Sequence, residues 1–279
     1  MTDGLPIGVT LGPIGIDAAW WLDSARRLDD AGYAGLWCWD HFVSRGEKTT
    51  PVLEAWTILT AAAAVTRRMT VGTFVANVMN REPAVLARMA ATLQQVSGGR
   101  LVLGIGIGGG MAEHAAYGIP LPPPAERAAR LEEAVAVLRA LWGGGPATLA
   151  GRFHSLEAAW AHPVPEPAPP ILIGARTPAG VRLAARIGDG WAAESDVFED
   201  LAPAYLAALD AAGRDRAAQR VLVGFGSGRA GQDALQGSPW VADPVGEWAR
   251  WRGLGADVVT VTARTTGDVA ALVEAAQRW

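Results

Sequence analysis

Cysteine is almost absent from this chain. Its 279 residues include one cysteine, Cys38, which lies inside an apolar run. A framework of disulfide bonds within the chain is therefore excluded, and such sparing use of cysteine is typical of intracellular proteins. The first residues also lack a basic segment followed by an apolar one, so we expect no secretory signal peptide and a cytoplasmic location.

Positive charge and long apolar runs are scarce as well. The net charge is −4, the isoelectric point is about 5.6, and Lys48 is the only lysine among 24 basic residues. Binding to nucleic acid needs a dense cationic surface, so we expect no nucleic-acid partner. No apolar run approaches the ~18 residues that a membrane-spanning helix needs, so we expect no membrane partner either.

Motifs for metal binding and for hydrolysis are also missing. The four histidines, His41, His114, His154 and His162, form no H-x-x-H or H-E-x-x-H pattern, and there is no cysteine cluster. The sequence therefore predicts no metal site. The absence of a G-x-S-x-G segment argues against the nucleophile elbow of a hydrolase.

The chain does contain a regular alternation of short apolar runs and longer helical patterns. Runs typical of buried strands cover residues 7–11, 35–39, 70–76, 101–107, 171–175, 190–193, 221–226 and 258–263. Helical patterns cover residues 17–31, 51–66, 83–97, 125–142, 178–187, 199–212, 243–253 and 266–278. Eight such repeats predict an α/β fold, a (β/α)8 or TIM barrel formed by residues 1–279 as a single domain. An open, doubly wound sheet shows the same alternation and is the alternative.

Two long interruptions break this alternation, at residues 143–170 and 229–242. The first contains glycine, proline and single aromatic residues, and is compatible with a β-hairpin or with an irregular cover over one end of the barrel. Loops of this length in a compact domain are more often functional than not. We therefore expect inserted loops at the C-terminal face of the strands, where barrels keep their active sites.

Asp40 and His41 follow the predicted strand at residues 35–39 directly. A carboxylate and an imidazole at the carboxyl end of a buried strand stand where α/β folds place their chemistry. The alternative is a structural histidine at a strand end, with Asp40 orienting it or capping a turn.

A formal G-x-G-x-x-G occurs at Gly104, Gly106 and Gly109. A dinucleotide-binding fingerprint is disfavoured, because the glycines begin inside the predicted strand and no helix is predicted directly after them. A strand that ends in a glycine-rich loop fits better, since its backbone N–H groups can approach a phosphate closely. A glycine-rich barrel strand without any ligand is the alternative.

A second candidate anion site follows the strand at residues 171–175. Thr177 stands as an N-cap before Pro178, and the N-terminus of the helix that begins there attracts anions. Arg176 adds a full positive charge at the same end. An ordinary capped helix with a solvated arginine is an equal alternative.

Several segments together resemble the bacterial luciferase-like superfamily of flavin and deazaflavin oxidoreductases. They are residues 40–42, 71–73, 82–90, 97–106, 116–118, 127–142, 170–175, 184–191 and 255–259, in this order. The layout is most similar to the branch that uses coenzyme F420. The resemblance implies a (β/α)8 barrel with F420 at the carboxyl ends of the strands, and hydride transfer between the deazaflavin C5 and a small organic substrate. An FMN-dependent monooxygenase working with a flavin reductase is the alternative, and a non-enzymatic flavin binder is a third hypothesis.

The resemblance also implies roles for individual residues. His41 would be the catalytic proton acceptor or charge stabiliser, and Asp40 would orient it or contact the cofactor ring. A non-prolyl cis peptide is expected at Phe74–Val75, with Phe74, Val75 and Ala76 shaping the face of the ring. The cofactor phosphate would be held by Ile107, Gly108, Gly109, Ala175, Arg176 and Thr177. The substrate side would include Arg45, Glu113, His114 and Glu194.

The chain departs from the family pattern in two places. Sugar-phosphate dehydrogenases of this branch have a glutamate as general acid where this chain has Gly109, and an aromatic residue is replaced near Arg45. A sugar-phosphate substrate is therefore disfavoured. Most members of the family are dimers, and the twelve tryptophans of this chain add to the expectation of a homodimer.

Overall fold

Eight parallel strands close into a barrel in the computed structural model, which describes residues 4–44, 46–226 and 235–279. The strands are β1 (Ile7–Leu11), β2 (Gly35–Cys38), β3 (Thr70–Asn77), β4 (Leu101–Gly106), β5 (Ala147–Ala150), β6 (Ser155–Ala159), β7 (Ile171–Gly174), β8 (Gly190–Glu194), β9 (Arg220–Phe225) and β10 (Val258–Ala263). The barrel order is β1-β2-β3-β4-β7-β8-β9-β10, and β10 pairs with β1. This closed order confirms the predicted barrel, and the alternative prediction of an open, doubly wound sheet is wrong.

Helices follow the strands and cover the outside of the barrel. They are α1 (Ala18–Asp30), α2 (Ala55–Val65), α3 (Pro83–Val96), α4 (Met111–Tyr117), α5 (Pro124–Leu141), α6 (Pro178–Ile187), α7 (Ser195–Ala211), α8 (Pro239–Ala242), α9 (Pro244–Gly253) and α10 (Thr266–Ala275). Within the described residues, none of them is both long and apolar enough to cross a membrane.

Two helices begin elsewhere than their sequence patterns predicted. The pattern at residues 51–66 becomes a helix only at Ala55, because the Glu54 carboxylate accepts the N–H groups of Trp56 and Thr57 and so caps the helix there. Helix α7 begins at Ser195, directly after β8, rather than at residue 199.

The segment after β4 contains a helix that the sequence did not predict. Helix α4 begins after Gly110 (φ 81°) and ends before Gly118 (φ 66°), and both glycines adopt the left-handed conformation that favours this residue. Because α4 follows a strand, it lies at the carboxyl face of the barrel. The prediction that no helix follows the glycine-rich loop is therefore wrong.

The insertion at residues 143–170 contains the antiparallel hairpin β5–β6, one of its two predicted forms. Its tip is held by Glu133 of α5, whose carboxylate accepts the N–H groups of Arg152, Phe153 and His154 at 2.8, 2.8 and 3.0 Å. Gln94 of α3 donates to the Pro167 carbonyl at 2.7 Å. The insertion thus packs on the outer helices. The other interruption, at residues 229–242, falls partly on residues 227–234, outside the described residues.

The barrel interior is filled by apolar side chains. Its buried cluster consists of Trp37, Phe74, Val102, Leu172, Ala192 and Leu222. The Phe74 ring spans the barrel from β3 to β9, since a Cβ atom added to Gly224 would lie 2.3 Å from Phe74 Cζ. Beyond this ring, at the carboxyl ends of the strands, lies the space that we call the barrel mouth.

Candidate active site

Asp40 lies at the end of β2 and is 5% exposed. Its carboxylate accepts hydrogen bonds from both terminal nitrogens of Arg81, at 2.8 and 3.1 Å, and from the Asn77 N–H at 3.0 Å. These bonds tie the end of β2 to the segment that follows β3. The expectation that Asp40 orients His41 is therefore corrected, because its oxygens are engaged by Arg81 and Asn77.

Arg81 joins Asp40 to Glu54 in a half-buried group of three charges. Burial lowers the pKa of the Arg81 guanidinium, but the two carboxylates outweigh it and hold that pKa above its usual value. Burial likewise raises the pKa of Glu54, and the hydrogen bonds from Thr57 and Trp56 together with Arg81 reverse the shift and lower it. The shifts of Arg81 and Glu54 thus both favour the charged form.

His41 is oriented by Glu113 of helix α4. The His41 Nδ1 atom lies 3.0 Å from Glu113 Oε2, and the Phe42 N–H donates to Oε1 of the same carboxylate. Burial raises the pKa of Glu113, but the hydrogen bonds from Phe42 and His41 outweigh it and bring this pKa below its usual value. An ionised carboxylate only accepts, so Nδ1 carries a proton, and in the neutral imidazole Nε2 is then the atom that presents its lone pair. Glu113 was predicted on the substrate side, and the structure pairs it with His41.

His114, the residue after Glu113, is buried in the wall below the glycine-rich loop and is 2% exposed. The Asn77 side-chain oxygen accepts from the Met79 N–H, which directs its amide nitrogen toward His114 Nε2 at 2.7 Å. Nε2 therefore accepts, and Nδ1 carries a proton that finds no partner among the described residues. This buried position does not agree with the prediction that His114 lies on the substrate side.

The peptide bond between Phe74 and Val75 is cis, as the resemblance implied, and the pairing of β3 with β4 shifts at the same place. The Val75 side chain lies on glycines of β4 and β7, because a Cβ on Gly106 or Gly174 would lie 3.0 or 2.8 Å from Val75 Cγ2. Val75 thus lines the barrel mouth. Ala76 faces the outer core and is 1% exposed, so the expectation that its side chain shapes the ring face is corrected.

The loop of Ile107, Gly108 and Gly109 has an open side and a fixed side. Arg127 of α5 donates to the carbonyls of Ile107 and Gly108 at 3.1 and 2.5 Å. Gly108 has φ 72°, and a Cβ there would lie 2.0 Å from Asn77 Oδ1. Apart from its chain neighbours, no described atom lies within 4 Å of a Cβ placed on Gly109. The loop is thus open at Gly109, whereas the carbonyls of Ile107 and Gly108 are turned toward Arg127 of α5.

The second predicted anion site follows β7, where Ala175 is buried. Thr177 caps α6 by accepting the Gly180 N–H at 3.1 Å, which confirms its predicted N-cap position. Arg176 is paired at 3.0 and 2.7 Å with both carboxylate oxygens of Asp196, and this pairing raises the pKa of its guanidinium. A phosphate bound here would share Arg176 with Asp196.

Glu194, the last residue of β8, faces the barrel mouth. Side chains alternate along a strand, and Trp191 and Ala193 belong to the outer core whereas Ala192 belongs to the inner cluster. Glu194 therefore points to the same side as Ala192. Burial raises the pKa of the Glu194 carboxyl, a shift that Arg176 opposes and that Asp196 increases.

Two residues of the barrel mouth were missed by the sequence reasoning. The Arg264 guanidinium, after β10, lies 5.0 Å from the centre of the Trp39 ring, after β2. The ring crosses β1 closely, because a Cβ on Gly12 would lie 2.7 Å from Trp39 Cζ3. The sequence did offer a signal for both positions, because each stands at the carboxyl end of a predicted strand. Trp39 is the last residue of the strand predicted at residues 35–39, and Arg264 follows the strand predicted at residues 258–263. Arg45, the remaining predicted residue, lies outside the described residues.

A family model for luciferase-like monooxygenases matches residues 7–227. The chain belongs to this family. The F420-dependent glucose-6-phosphate dehydrogenase of Kineococcus radiotolerans is 35% identical over 198 residues, which are 69% of this chain and 58% of that protein. The F420-dependent hydroxymycolic acid dehydrogenase of Mycobacterium tuberculosis is 31% identical over 194 residues, 68% of this chain and 54% of that protein. The chain thus spans little more than half the length of these curated relatives.

A solved structure described as an F420-dependent secondary alcohol dehydrogenase with an F420–acetone adduct has a TM-score of 0.83 to this chain. It is 19% identical and covers 98% of both chains, which shows a common luciferase-like fold. The family match ends at residue 227, so Arg264 lies in the part of the barrel mouth that the luciferase-like model does not describe.

Proposed function

We propose that this chain is an F420-dependent oxidoreductase that transfers hydride between the deazaflavin C5 and a small organic substrate. The observation that carries the proposal is the orientation of His41 by the ionised Glu113 carboxylate at the end of β2. Two relatives and a structural neighbour whose names include F420 support it.

The residues of the barrel mouth fit a flat ring with a phosphate-bearing tail. Glycines at positions 106 and 174 leave room for the Val75 side chain, which presents an apolar surface to the mouth. The open loop at Gly109 and the guanidinium of Arg176 flank the carboxyl ends of β4 and β7, which are neighbours in the barrel. Gly108, Gly109, Ala175, Arg176 and Thr177 would hold the phosphate.

F420, when bound, supplies the hydride chemistry, and the protein supplies position and electrostatics. His41 Nε2 accepts the proton that leaves the substrate hydroxyl when the substrate is oxidised, and returns it in the reverse direction. Glu113 stabilises the imidazolium that forms, since its carboxylate lies against Nδ1. Arg81 fixes the Asp40 carboxylate with two hydrogen bonds, which holds the backbone of the segment that presents His41.

The first experiment measures cofactor binding by quenching of tryptophan fluorescence, with F420 and FMN titrated separately. Trp39 borders the barrel mouth and provides a local signal. We expect tight F420 binding and weak FMN binding. The reverse order would replace the proposal by an FMN-dependent monooxygenase that requires a reductase partner, and binding of neither would refute both.

The second experiment separates binding from turnover. We expect His41→Ala to reduce turnover by about 10²- to 10⁴-fold, the usual contribution of a general base, with F420 affinity changed little. His162→Ala is the matched control, because His162 is exposed on the hairpin side of the molecule. Equal activity of the two variants would contradict the role given to His41.

We further propose that the chain works as a single domain, as a homodimer and in the cytoplasm. Exposed apolar side chains on the helices, among them Val85 and Leu206, support association. Light scattering at micromolar concentration tests it, and a monomer would refute it.

A further inference from the structure

Glu194 and His41 come from opposite walls of the barrel mouth. Between β2, which presents His41, and β8, which ends in Glu194, three strands lie in either direction around the closed barrel. Glu194 pairs with Gly224 of β9, where the Phe74 ring takes the space of a side chain. A flat ligand bound above Phe74 would therefore lie between the imidazole and this carboxyl.

Glu194 has no hydrogen bond or ion pair with any side chain in the described part of the chain. Among the described residues, the cation that lowers the pKa of Glu194 is Arg176, after β7, and both its terminal nitrogens are taken by Asp196 of α7. On the other side of Glu194, β9 contributes Gly224 and Phe225, which are uncharged, and β3 contributes the Phe74 ring. The titratable or charged groups that the described residues place across the mouth include His41, Glu113 and Arg264.

We propose that Glu194 is the second proton-exchanging group of this active site, acting on the bound ligands from the side opposite His41. The inference rests on the proposed function. Oxidation of a substrate alcohol breaks the C–H bond, whose electron pair leaves as hydride to the oxidised deazaflavin, while the O–H proton goes to His41 and a carbonyl forms. With F420 bound, Glu194 would supply the proton that goes with the hydride to the ring and would regain it from water, to which His41 releases the hydroxyl proton.

This assignment accounts for two features of the chain. Gly109 carries no carboxyl group on the loop after β4, and the Glu113 carboxylate is ionised and occupied by His41 and Phe42. The pKa of the Glu194 carboxyl, by contrast, is raised by burial, and no side chain among the described residues bonds to its oxygens. Of the described carboxyls at the barrel mouth that the text has considered, Glu194 is thus the one whose surroundings favour the protonated form that a proton donor needs.

The test compares wild type with Glu194→Gln, Glu194→Asp and the control Glu157→Gln, whose carboxyl is exposed on β6. The first measurement is the melting temperature of the ligand-free protein as a function of pH. A carboxyl with a raised pKa in the folded state destabilises the fold once it ionises. We expect Glu194→Gln to melt above wild type at about pH 8 and equally at about pH 4, a range that brackets carboxyl titration. Glu157→Gln should show no such divergence.

The second measurement is F420 affinity and the pH profile of turnover for the same variants. We expect Glu194→Gln to bind F420 within about threefold of wild type but to lose about 10²-fold or more in turnover. Glu194→Asp should restore part of that rate with a displaced pH profile. An unchanged profile and rate in Glu194→Gln, with F420 still bound, would overturn this inference alone. Failure of wild type to bind F420 would overturn the proposed function and this inference with it.

Discussion

The substitution Gly108→Ala tests how the glycine-rich loop is held against β3. Gly108 has φ 72°, a conformation that costs an L-residue about 1–2 kcal/mol. The new methyl group would also lie 2.0 Å from Asn77 Oδ1, far inside van der Waals contact, so the amide must move. That amide accepts from the Met79 N–H and donates to His114 Nε2.

The expected cost follows from these two effects. Loss of the two Asn77 hydrogen bonds adds about 1 kcal/mol each to the conformational term, which gives a total of about 3–4 kcal/mol. Gly109→Ala is the matched control, because its Cβ would meet no described atom beyond its chain neighbours within 4 Å and its φ lies outside the left-handed region. We expect the control to change the free energy of unfolding by less than about 0.5 kcal/mol.

Urea unfolding of both variants, followed by far-UV circular dichroism, measures the difference. The slope of the unfolding free energy against urea concentration should be the same in both variants as in wild type, so that the urea midpoints report stability directly. If Gly108→Ala and Gly109→Ala unfold at the same midpoint, the close contact between Gly108 and Asn77 is refuted. A second readout is F420 affinity, which should fall in Gly108→Ala because the phosphate loop is displaced.

Three further predictions follow from the site. Glu113→Gln should lower turnover about 10-fold or more by releasing His41. Because folding lowers the pKa of Glu113, its ionised carboxylate stabilises the fold above the ordinary carboxyl range, and this stabilisation is lost as the pH falls. The difference in stability between Glu113→Gln and wild type should therefore shrink between about pH 7 and pH 3. Asp40→Ala leaves Arg81 without its bidentate partner and should lower the free energy of unfolding, measured by thermal unfolding, by about 3 kcal/mol. In the double variant Asp40→Ala with Arg81→Ala, the loss should be smaller than the sum of the two single losses. Strict additivity would contradict the ion pair. Gly224→Ala places a methyl group against the ring of Phe74 and should lower the free energy of unfolding by about 1–3 kcal/mol. Adding Phe74→Leu to the same chain should restore part of this loss. An unchanged stability of Gly224→Ala would mean that the ring does not reach β9.

The barrel was predictable because its strands are buried on both faces. Such strands appear as continuous apolar runs, and β1 and β10 match the predicted residues 7–11 and 258–263 without a shift. Helix α4 was not predictable by the same logic. Its seven residues lie between glycines and a proline-rich segment, and they are too few for a periodic pattern to stand out.

The side-chain partners at the site depend on distant parts of the chain. Asp40 and Arg81 are 41 residues apart, and His41 and Glu113 are 72 apart. Their pairing follows from barrel closure, which brings the end of β2 beside the segments after β3 and β4. Sequence alone placed Asp40 next to His41 and so suggested that one orients the other. The structure shows that two neighbours along a chain can make separate side-chain pairs, Asp40 with Arg81 and His41 with Glu113.

The filled interior below Phe74 has a consequence for altering substrate range. Its apolar cluster comes from the strands themselves, whereas Trp39 and Arg264 lie beyond the strand ends. Replacements at these two positions leave untouched both the side chains that fill the barrel and the pair of His41 with Glu113. A library of variants confined to Trp39 and Arg264 can therefore explore new substrates without changing the filled interior, whereas one that includes Phe74 would mix the two effects.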